Sequence, residues 1–486
     1  MELLLIMAAF ALSEPEPPVI YAGNEELERY LLEAAENHPS LLQRYEEWRA
    51  GLQRIPQAES LDDPMFSYTY FIRADQEVFG LMLSQRFPWF GRLRERGAQA
   101  AAEAEAALAQ LYGARNALFA RVKEAYHEYA YLARRLDVLE EQIELLEFME
   151  ESLEGLYAVG IVRQDDLFRL EIEITRLMDQ YNEIVDLRPA ASAQLSEALG
   201  REDHEILPWP DDTAAPPEPP PAPIVSARIR MAHPDLQALE HIRDSRRSAV
   251  ALAELERYPD ITVGLGFERM ERERRRPAVG PALETLGAME RLATGSSMGP
   301  LGAAMDLNAV RTFRERTEPP EMRDMFMVTV SMNLPVRRQR IAGGIAEAKA
   351  EERAVQHEHR ARMQALDRDA RMALFRIQDA KRRYELQRDS LIPQMEETFE
   401  SLERSYGSGV TNVNFIDVLD AQRTLLELEL EKIGALRDWR VAVAELEELM
   451  GGPWASEAYD AMDADPFSDF EVEDLPSPVS APSSEE

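Results

Sequence analysis

The chain has 486 residues and a formal net charge of −36 at pH 7, with 45% apolar residues, 30% charged residues and no cysteine. The negative charge argues against a nucleic-acid partner, because phosphates would be repelled rather than neutralised. It is compatible with cationic partners or cargo, or with solubility alone. The lack of cysteine excludes disulfides and thiolate metal sites and predicts no lipid-anchored N-terminal cysteine. This length and composition are typical of a chain of several domains that is rich in long helices.

The N-terminus contains an apolar run from Leu3 to Leu12. This run is too short to span a bilayer but has the length of the core of a secretory signal, although Glu2 stands where basic residues usually occur. We therefore predict a signal peptide over residues 1–13 and an exported protein. The sequence has no run of about 18 or more apolar residues, so any membrane crossing must be made by strands.

The sequence also contains an internal duplication. The motif NHPSL at residues 37–41 recurs as AHPDL at 232–236, and LYAVG at 156–160 recurs as SYGSG at 405–409. Motifs are similarly spaced in both halves, except that the second half has about 52 additional residues within one hairpin. The sequence therefore predicts two copies of one structural plan.

The duplication divides the chain into predicted segments. A first repeat covers residues 24–204, and a second covers 226–452 with a long hairpin insertion at 270–324. A proline-rich linker at 205–225 is expected to be extended, because proline disfavours helix. The acidic tail at 453–486 is predicted to be disordered.

Each repeat is predicted to contain a helix, two strands, a long helix, a break and a further helix. The strands alternate apolar with small or polar residues, which is the weak signature of a membrane β-barrel wall; an ordinary half-buried sheet is the alternative. Four strands cannot close a barrel, because the smallest barrels have about eight, so several chains would have to pool their strands. The apolar positions are Tyr68, Tyr70 and Ile72; Leu81, Leu83 and Phe87; Ile261, Val263, Leu265 and Phe267; and Phe326, Val328, Val330, Met332 and Leu334.

The helical segments are unusually long. A proline-free segment begins at Arg92 and ends at about Leu156, which would extend roughly 100 Å as a helix. The segment after the break has apolar residues at alternating spacings of three and four, which predicts a coiled-coil seam. The seam consists of Leu167, Leu170, Ile174, Leu177, Tyr181 and Ile184.

Three motifs carry a resemblance to a known family. They are QRFPWFGRLRERG at 85–97, ERYPDITVGLGF at 256–267 and YGSGVTNVNFIDVLDAQRTLLELEL at 406–430. Together with the duplication, they resemble the outer-membrane efflux protein family, the TolC-type channels that are exit ducts of tripartite pumps. The resemblance covers most of the chain, and the FPWFG stretch is similar to the branch often associated with metal-ion efflux.

The resemblance implies a mainly α-helical fold with a membrane β-barrel. In the family, three identical chains form a 12-stranded barrel in the outer membrane, which continues into a coiled-coil α-helical tunnel through the periplasm. The implied function is passive conduction of substrates, driven by an inner-membrane transporter that a periplasmic adaptor protein joins to the channel. The implied partners therefore include two further copies of the chain, these two proteins and outer-membrane lipid. No cofactor or nucleic acid is expected.

The resemblance also suggests functional residues near the end of the tunnel. Asp417 and Asp420 match carboxylates that ring the periplasmic aperture and would attract cations; the alternative is that both are ordinary exposed helix residues. Tyr406 matches a tyrosine that latches the closed state, with Asp165 or Asp166 as its acidic partner. The family's arginine near this tyrosine is replaced here by Thr411, which separates this chain from the family pattern.

Two basic runs flank the strands. One contains Arg92, Arg94 and Arg96, and the other Arg337, Arg338 and Arg340; they either lie at the junction between strand and helix or are solvated helix starts.

No catalytic or metal site is predicted. The chain has no nucleotide-binding loop and no motif that assembles a nucleophile and a base, so it is not expected to be an enzyme. A soluble periplasmic coiled-coil structural or adaptor protein is the alternative function.

Overall fold

The computed structural model describes residues 24–72, 77–160, 162–203, 205–210, 215–271, 322–407 and 414–454. The predicted signal peptide, residues 272–321 of the predicted insertion and residues 455–486 of the predicted tail lie outside these ranges.

Both repeats follow the same plan, except that one long helix of the first corresponds to two consecutive helices of the second. The first contains α1 (Glu25–Asn37), α2 (Pro39–Glu59), β1 (Met65–Ile72), β2 (Glu77–Phe87), α3 (Arg92–Ala158) and α4 (Gln164–Leu199). The second contains α5 (Ala222–Ala232), α6 (Pro234–Leu255), β3 (Ile261–Glu271), β4 (Met322–Met332), α7 (Arg338–Leu386), α8 (Ile392–Gly407) and α9 (Phe415–Met450). Helix α5 begins inside the segment predicted to be an extended linker, because Pro223 lies in the first turn, where its missing N–H has no helical partner to lose.

The chain forms two compact units. The sheet unit comprises Ile55–Gln99 and Arg246–Ala350, and the helical unit comprises the remaining described residues. Among the described residues, no helix combines the length and apolar character needed to cross a membrane.

The sheet unit contains a four-stranded antiparallel sheet in the order β1-β2-β3-β4. The register places Leu83 opposite Leu265 and Leu265 opposite Val328, so the apolar positions of neighbouring strands share one face. The predicted strand alternation is therefore confirmed. Among the described strands, β1 and β4 each pair with a single neighbour.

Asp260 organises the junction between the sheet and the helices. Its buried carboxylate accepts hydrogen bonds from Arg86 Nη2 at 2.6 Å, Arg92 Nη1 at 2.7 Å and the Trp89 N–H at 3.2 Å. Its own N–H donates to Asn333 Oδ1 at 2.5 Å. Burial raises the pKa of Asp260, but the hydrogen bonds from Arg86 and Trp89 and the charge of Arg92 outweigh it, so the pKa is lowered. One carboxylate thus ties the ends of three strand connections together.

Gly91 allows the chain to turn sharply between β2 and α3. Its φ angle of 89° lies in the left-handed region, which a residue with a Cβ rarely adopts. The turn brings Trp89 onto Tyr258, with ring centroids 5.0 Å apart and the ring planes 7° from parallel. A strand can therefore lead into a long helix within a few residues.

The long helical segment of the second repeat, formed by α7 and α8, contains one wide turn. Between α7 and α8, Gln387–Leu391 form a π-helical turn, which accommodates an additional residue within a helix. Pro393 follows and has no N–H to donate to the preceding turn. The buried Gln387 side chain donates to the Glu431 carboxylate at 2.5 Å, whereas its Oε1 has no hydrogen-bond partner among the described residues. The corresponding arm α3 is a single α-helix of 67 residues.

A buried histidine caps the same helix in each repeat. His38 Nδ1 accepts a hydrogen bond from the Ser40 N–H at 3.3 Å, and His233 Nδ1 accepts one from the Asp235 N–H at 3.1 Å. A nitrogen that accepts a hydrogen bond carries no proton, so these contacts require neutral imidazoles. Burial lowers the pKa of both histidines, which also favours the neutral form.

Replacing both histidines with asparagine is expected to remove part of the acid sensitivity of the helical unit. In the wild type, the stabilisation from neutral imidazole is fully present above pH 6.5 and is lost as the pH falls through the lowered folded-state pKa. The asparagine Oδ1 can accept the same N–H without titrating. Thermal unfolding measured between about pH 7.5 and pH 5 tests this. Alanine at either position should instead cost about 0.5–2 kcal/mol at neutral pH, and an unchanged pH dependence in the asparagine variant would contradict the assignment.

Candidate functional site

Two helix breaks meet at one buried cluster of the helical unit. We define the tip cluster as Leu153, Val162, Leu170, Ile174, Phe415 and Leu419, with Leu156, Leu167 and Tyr406 packed against it. It joins α3, α4 and α9 on either side of the breaks after Ala158 and Gly407. The predicted seam is confirmed, because Leu170, Ile174, Leu177 and Ile184 are buried and Leu167 and Tyr181 pack at the edge.

Asp417 and Asp420 lie in the first turns of α9, and both are exposed. Their spacing places them on one face of the helix. Asp417 Oδ2 accepts a hydrogen bond from the Asn414 N–H at 2.8 Å, a favourable position for a carboxylate at a helix N-terminus. Asp420 pairs with Arg423 Nη1 at 3.3 Å. The two predicted aperture residues therefore form a solvent-facing acidic pair.

Arg423 links this pair to the neighbouring helix, a contact that sequence reasoning missed. Its guanidinium also donates to the carboxylate of Glu173 in α4, which is almost fully buried. Arg176 lies 3.5 Å from the same carboxylate but belongs to α4 itself. Arg423 is thus the cation that bridges α9 and α4. The sequence offered one signal for this contact. Glu173 is a charged residue next to the apolar seam of α4, and a buried carboxylate needs a partner.

A second polar contact lies next to this link. Gln422 Nε2 donates to Gln142 Oε1 at 2.8 Å, and both side chains are buried. This bond joins α9 to α3. Helix α9 is therefore held to α3 and α4 by polar contacts as well as by the tip cluster.

Of the two predicted acidic partners of Tyr406, only Asp166 affects its titration in the described structure. Burial raises the pKa of Tyr406, and the nearby Asp166 carboxylate raises it further. The Tyr406 ring packs against Phe415 with the centroids 6.0 Å apart. Asp165 instead pairs with Arg163, which also lies 3.9 Å from Asp166. In the described part of the chain, Tyr406 and Asp166 form no hydrogen bond.

The tip presents the acidic pair of Asp417 and Asp420 to solvent. Other titratable side chains described there include Asp166, Arg423 and Tyr406. Within the described ranges, no group of three or more histidine or acidic residues is placed to hold a metal ion. Thr411, which stands where the family pattern has an arginine, lies outside the described residues.

Comparison with known proteins identifies the family. The model of the outer membrane efflux protein family matches residues 31–201 and 225–452. No curated protein matches the chain.

Solved structures share the fold. A membrane protein from Pseudomonas aeruginosa is 18% identical with a TM-score of 0.67, covering 90% of this chain and 98% of its own. The outer membrane protein VceC from Vibrio cholerae is 16% identical with a TM-score of 0.67, covering 88% and 96%. The MtrE outer membrane channel from Neisseria gonorrhoeae, in its open state, is 16% identical with a TM-score of 0.64, covering 88% and 89%.

These likenesses establish a common architecture, and the family match extends over both repeats. The predicted family and the predicted localisation, the outer membrane with an extension into the periplasm, are thereby confirmed. Because the family model covers most of its length, the chain belongs to the outer membrane efflux protein family.

Proposed function

We propose that the protein is the outer-membrane exit channel of a tripartite efflux pump. Three copies pool their strands into one barrel, and their long helices form a tunnel through the periplasm. Substrates pass through passively, because an inner-membrane transporter supplies the energy and a periplasmic adaptor protein connects the two. The family consists of channels, so no enzymatic activity is expected.

The apolar face of the sheet carries this proposal. Phe326, Val328 and Leu265 are 82%, 69% and 60% exposed in the single chain. An ordinary half-buried sheet would cover such residues with a second layer. Strands β2, β3 and β4 each have 11 residues, which is sufficient to cross a bilayer when tilted. The apolar face is therefore proposed to contact the hydrocarbon chains of membrane lipids.

The edges of the sheet indicate that several chains are required. Backbone groups at an open edge cannot be satisfied in lipid. Strands β1 and β4, which have one neighbour each in the described sheet, would pair with strands of adjacent copies. This arrangement favours the channel over a soluble coiled-coil scaffold, which would leave the apolar face in water.

Asp417 and Asp420 are proposed to line the periplasmic aperture. Both side chains are exposed on one face of α9, and three-fold symmetry would bring the acidic pairs of three chains around one opening. A ring of carboxylates attracts cations and favours their passage. Arg423 with Glu173 would hold the helices of the closed aperture together. Tyr406, which packs against Phe415, is proposed as part of the latch, with Asp166 as its acidic neighbour.

Single-channel recording in planar bilayers tests the proposal. The wild type is expected to form cation-selective pores that divalent cations block, and Asp417→Ala with Asp420→Ala should reduce both properties several-fold. The matched control is Asp179→Ala with Asp186→Ala, which removes two exposed carboxylates of α4 away from the breaks. Pores whose selectivity is unaffected by the first pair would remove the aperture assignment. A protein that forms no pores would overturn the channel.

A further inference from the structure

The arginines at the junction of sheet and helices fall into two groups. Arg86 and Arg92 bind Asp260, and Arg340 lies 3.7 Å from Glu256. Arg94, Arg96, Arg337 and Arg338 form no ion pair with any residue that the structure describes, and the side chains of all but the half-buried Arg96 are exposed. We call these four residues the arginine collar. In a chain with a net charge of −36, a group of uncompensated cations at one place requires an explanation.

The four arginines of the collar lie close together because two strands leave the sheet at the same end. Strands β2 and β4 are both antiparallel to β3, and Phe87 and Met332 lie opposite the same residue, Ile261. The two strands therefore leave the sheet in the same direction, separated by two strand spacings, or about 10 Å. Each then leads within a few residues into a basic run at the start of α3 or α7. Both runs consequently lie at one level of the sheet unit.

Exposed apolar side chains accompany the collar. Phe90, Leu334 and Val336 are 85%, 69% and 77% exposed, and all three lie between a strand end and the following helix. Apolar side chains next to arginines are typical of a membrane surface, where the apolar groups enter the acyl boundary and the cations meet phosphates.

The position of the collar is unfavourable for the helices themselves. Cations in the first turn of a helix oppose the positive end of its dipole. Glu95, which stands between Arg94 and Arg96, forms an ion pair with neither in the described structure. A phosphate bound here would compensate both the arginines and the N-terminal N–H groups.

We propose that the arginine collar binds the headgroups of anionic phospholipids and fixes the height of the sheet in the membrane. The inference rests on the proposed function, because the strands have to cross the bilayer for the junction to lie at its surface. A guanidinium binds a phosphate through two parallel hydrogen bonds, and each cation near an anionic membrane contributes about fivefold in affinity. Phosphatidylglycerol is therefore preferred over a zwitterionic lipid.

Lipid-dependent thermal stability tests the collar. The full-length protein in a mild detergent is titrated with phosphatidylglycerol or with phosphatidylcholine, and unfolding is followed by tryptophan fluorescence. Phosphatidylglycerol should raise the midpoint of unfolding, and phosphatidylcholine should raise it much less. The quadruple variant R94Q/R96Q/R337Q/R338Q should need at least about tenfold more phosphatidylglycerol for half of the effect. Replacing the same residues with lysine should retain most of the response.

The matched control removes four other arginines, in R29Q/R54Q/R169Q/R360Q. These residues are also exposed and lack ion pairs in the described chain, but they belong to the helical unit. Equal losses in both quadruple variants would show a general charge effect and overturn the collar. The collar would also be overturned if phosphatidylcholine, or inorganic phosphate, raised the unfolding midpoint of the wild type as much as phosphatidylglycerol does. These comparisons use only the wild-type protein.

Conductance of the same proteins separates the two proposals. If the wild type forms pores but phosphatidylglycerol stabilises it no more than phosphatidylcholine does, the channel is retained and the collar is rejected. The absence of pores in the wild type would reject the channel, and with it the membrane position on which the collar depends.

Discussion

Replacing Asp260 with alanine is expected to lower the free energy of unfolding by about 3–5 kcal/mol. Asp260 is 4% exposed and accepts two arginine hydrogen bonds and one from the Trp89 N–H. Its removal leaves the largely buried Arg92 without this carboxylate, and the cost of an uncompensated buried charge is large. Urea unfolding of the protein in phospholipid vesicles measures the change.

Asp62→Ala provides a matched control for Asp260→Ala. Asp62 also lies near Arg86, at 3.8 Å, but its side chain is 55% exposed. Exposed pairs of this kind contribute about 0–1 kcal/mol. If the two variants were equally destabilised, the effect would come from net charge at the junction and not from the buried network.

Replacing Arg423 with glutamine is expected to open the aperture in the absence of the pump. The link from Arg423 to the buried Glu173 is the cationic bridge between α9 and α4, and a hydrogen bond to a charged group contributes about 1.5–3 kcal/mol. If this link exists only in the closed state, its loss should raise the ratio of open to closed channels by about ten- to hundredfold. Single-channel recording gives this ratio directly. Cation selectivity should persist, because Asp417 and Asp420 are retained.

Arg176→Gln separates the bridge from the charge balance of Glu173. Arg176 contacts the same carboxylate, but its side chain is 60% exposed and lies on the same helix as Glu173. It cannot connect two helices, so its removal should leave the open-to-closed ratio nearly unchanged. A double variant, Arg423→Leu with Glu173→Leu, should recover stability while the aperture stays open. Closed channels in the Arg423 variant would show that the link has no part in gating.

The sequence predicted the features that depend on local periodicity. The strand alternation around Leu265 and Val328 and the seam containing Leu170 and Ile174 are both present, because each follows from the repeat of strand or helix. The duplicated order of elements is also present. The assignment to a metal-efflux branch stays a prediction.

Contacts between distant segments were not predictable in this way. Glu173 and Arg423 are separated by 250 residues, and Arg86 and Asp260 by 174. Nothing in the local pattern indicates which cation will meet which carboxylate. The resemblance matched Asp417 and Asp420 to carboxylates that ring the aperture, which stays a prediction. The contact of Arg423 with Glu173, which holds the same helix, became visible only in the fold.

The π-helical turn in the second arm determines which way the end of that arm faces. In an α-helix, each additional residue rotates everything that follows by about 100° around the axis. The wide turn at Gln387–Leu391 absorbs an additional residue without this rotation. If the turn became α-helical at the same length, the side chains of α8 would point about 100° away, and Tyr406 would leave Phe415. One turn thus sets the angular phase of α8 relative to α9. A single-residue insertion or deletion there would move Tyr406 away from Phe415 without changing either residue.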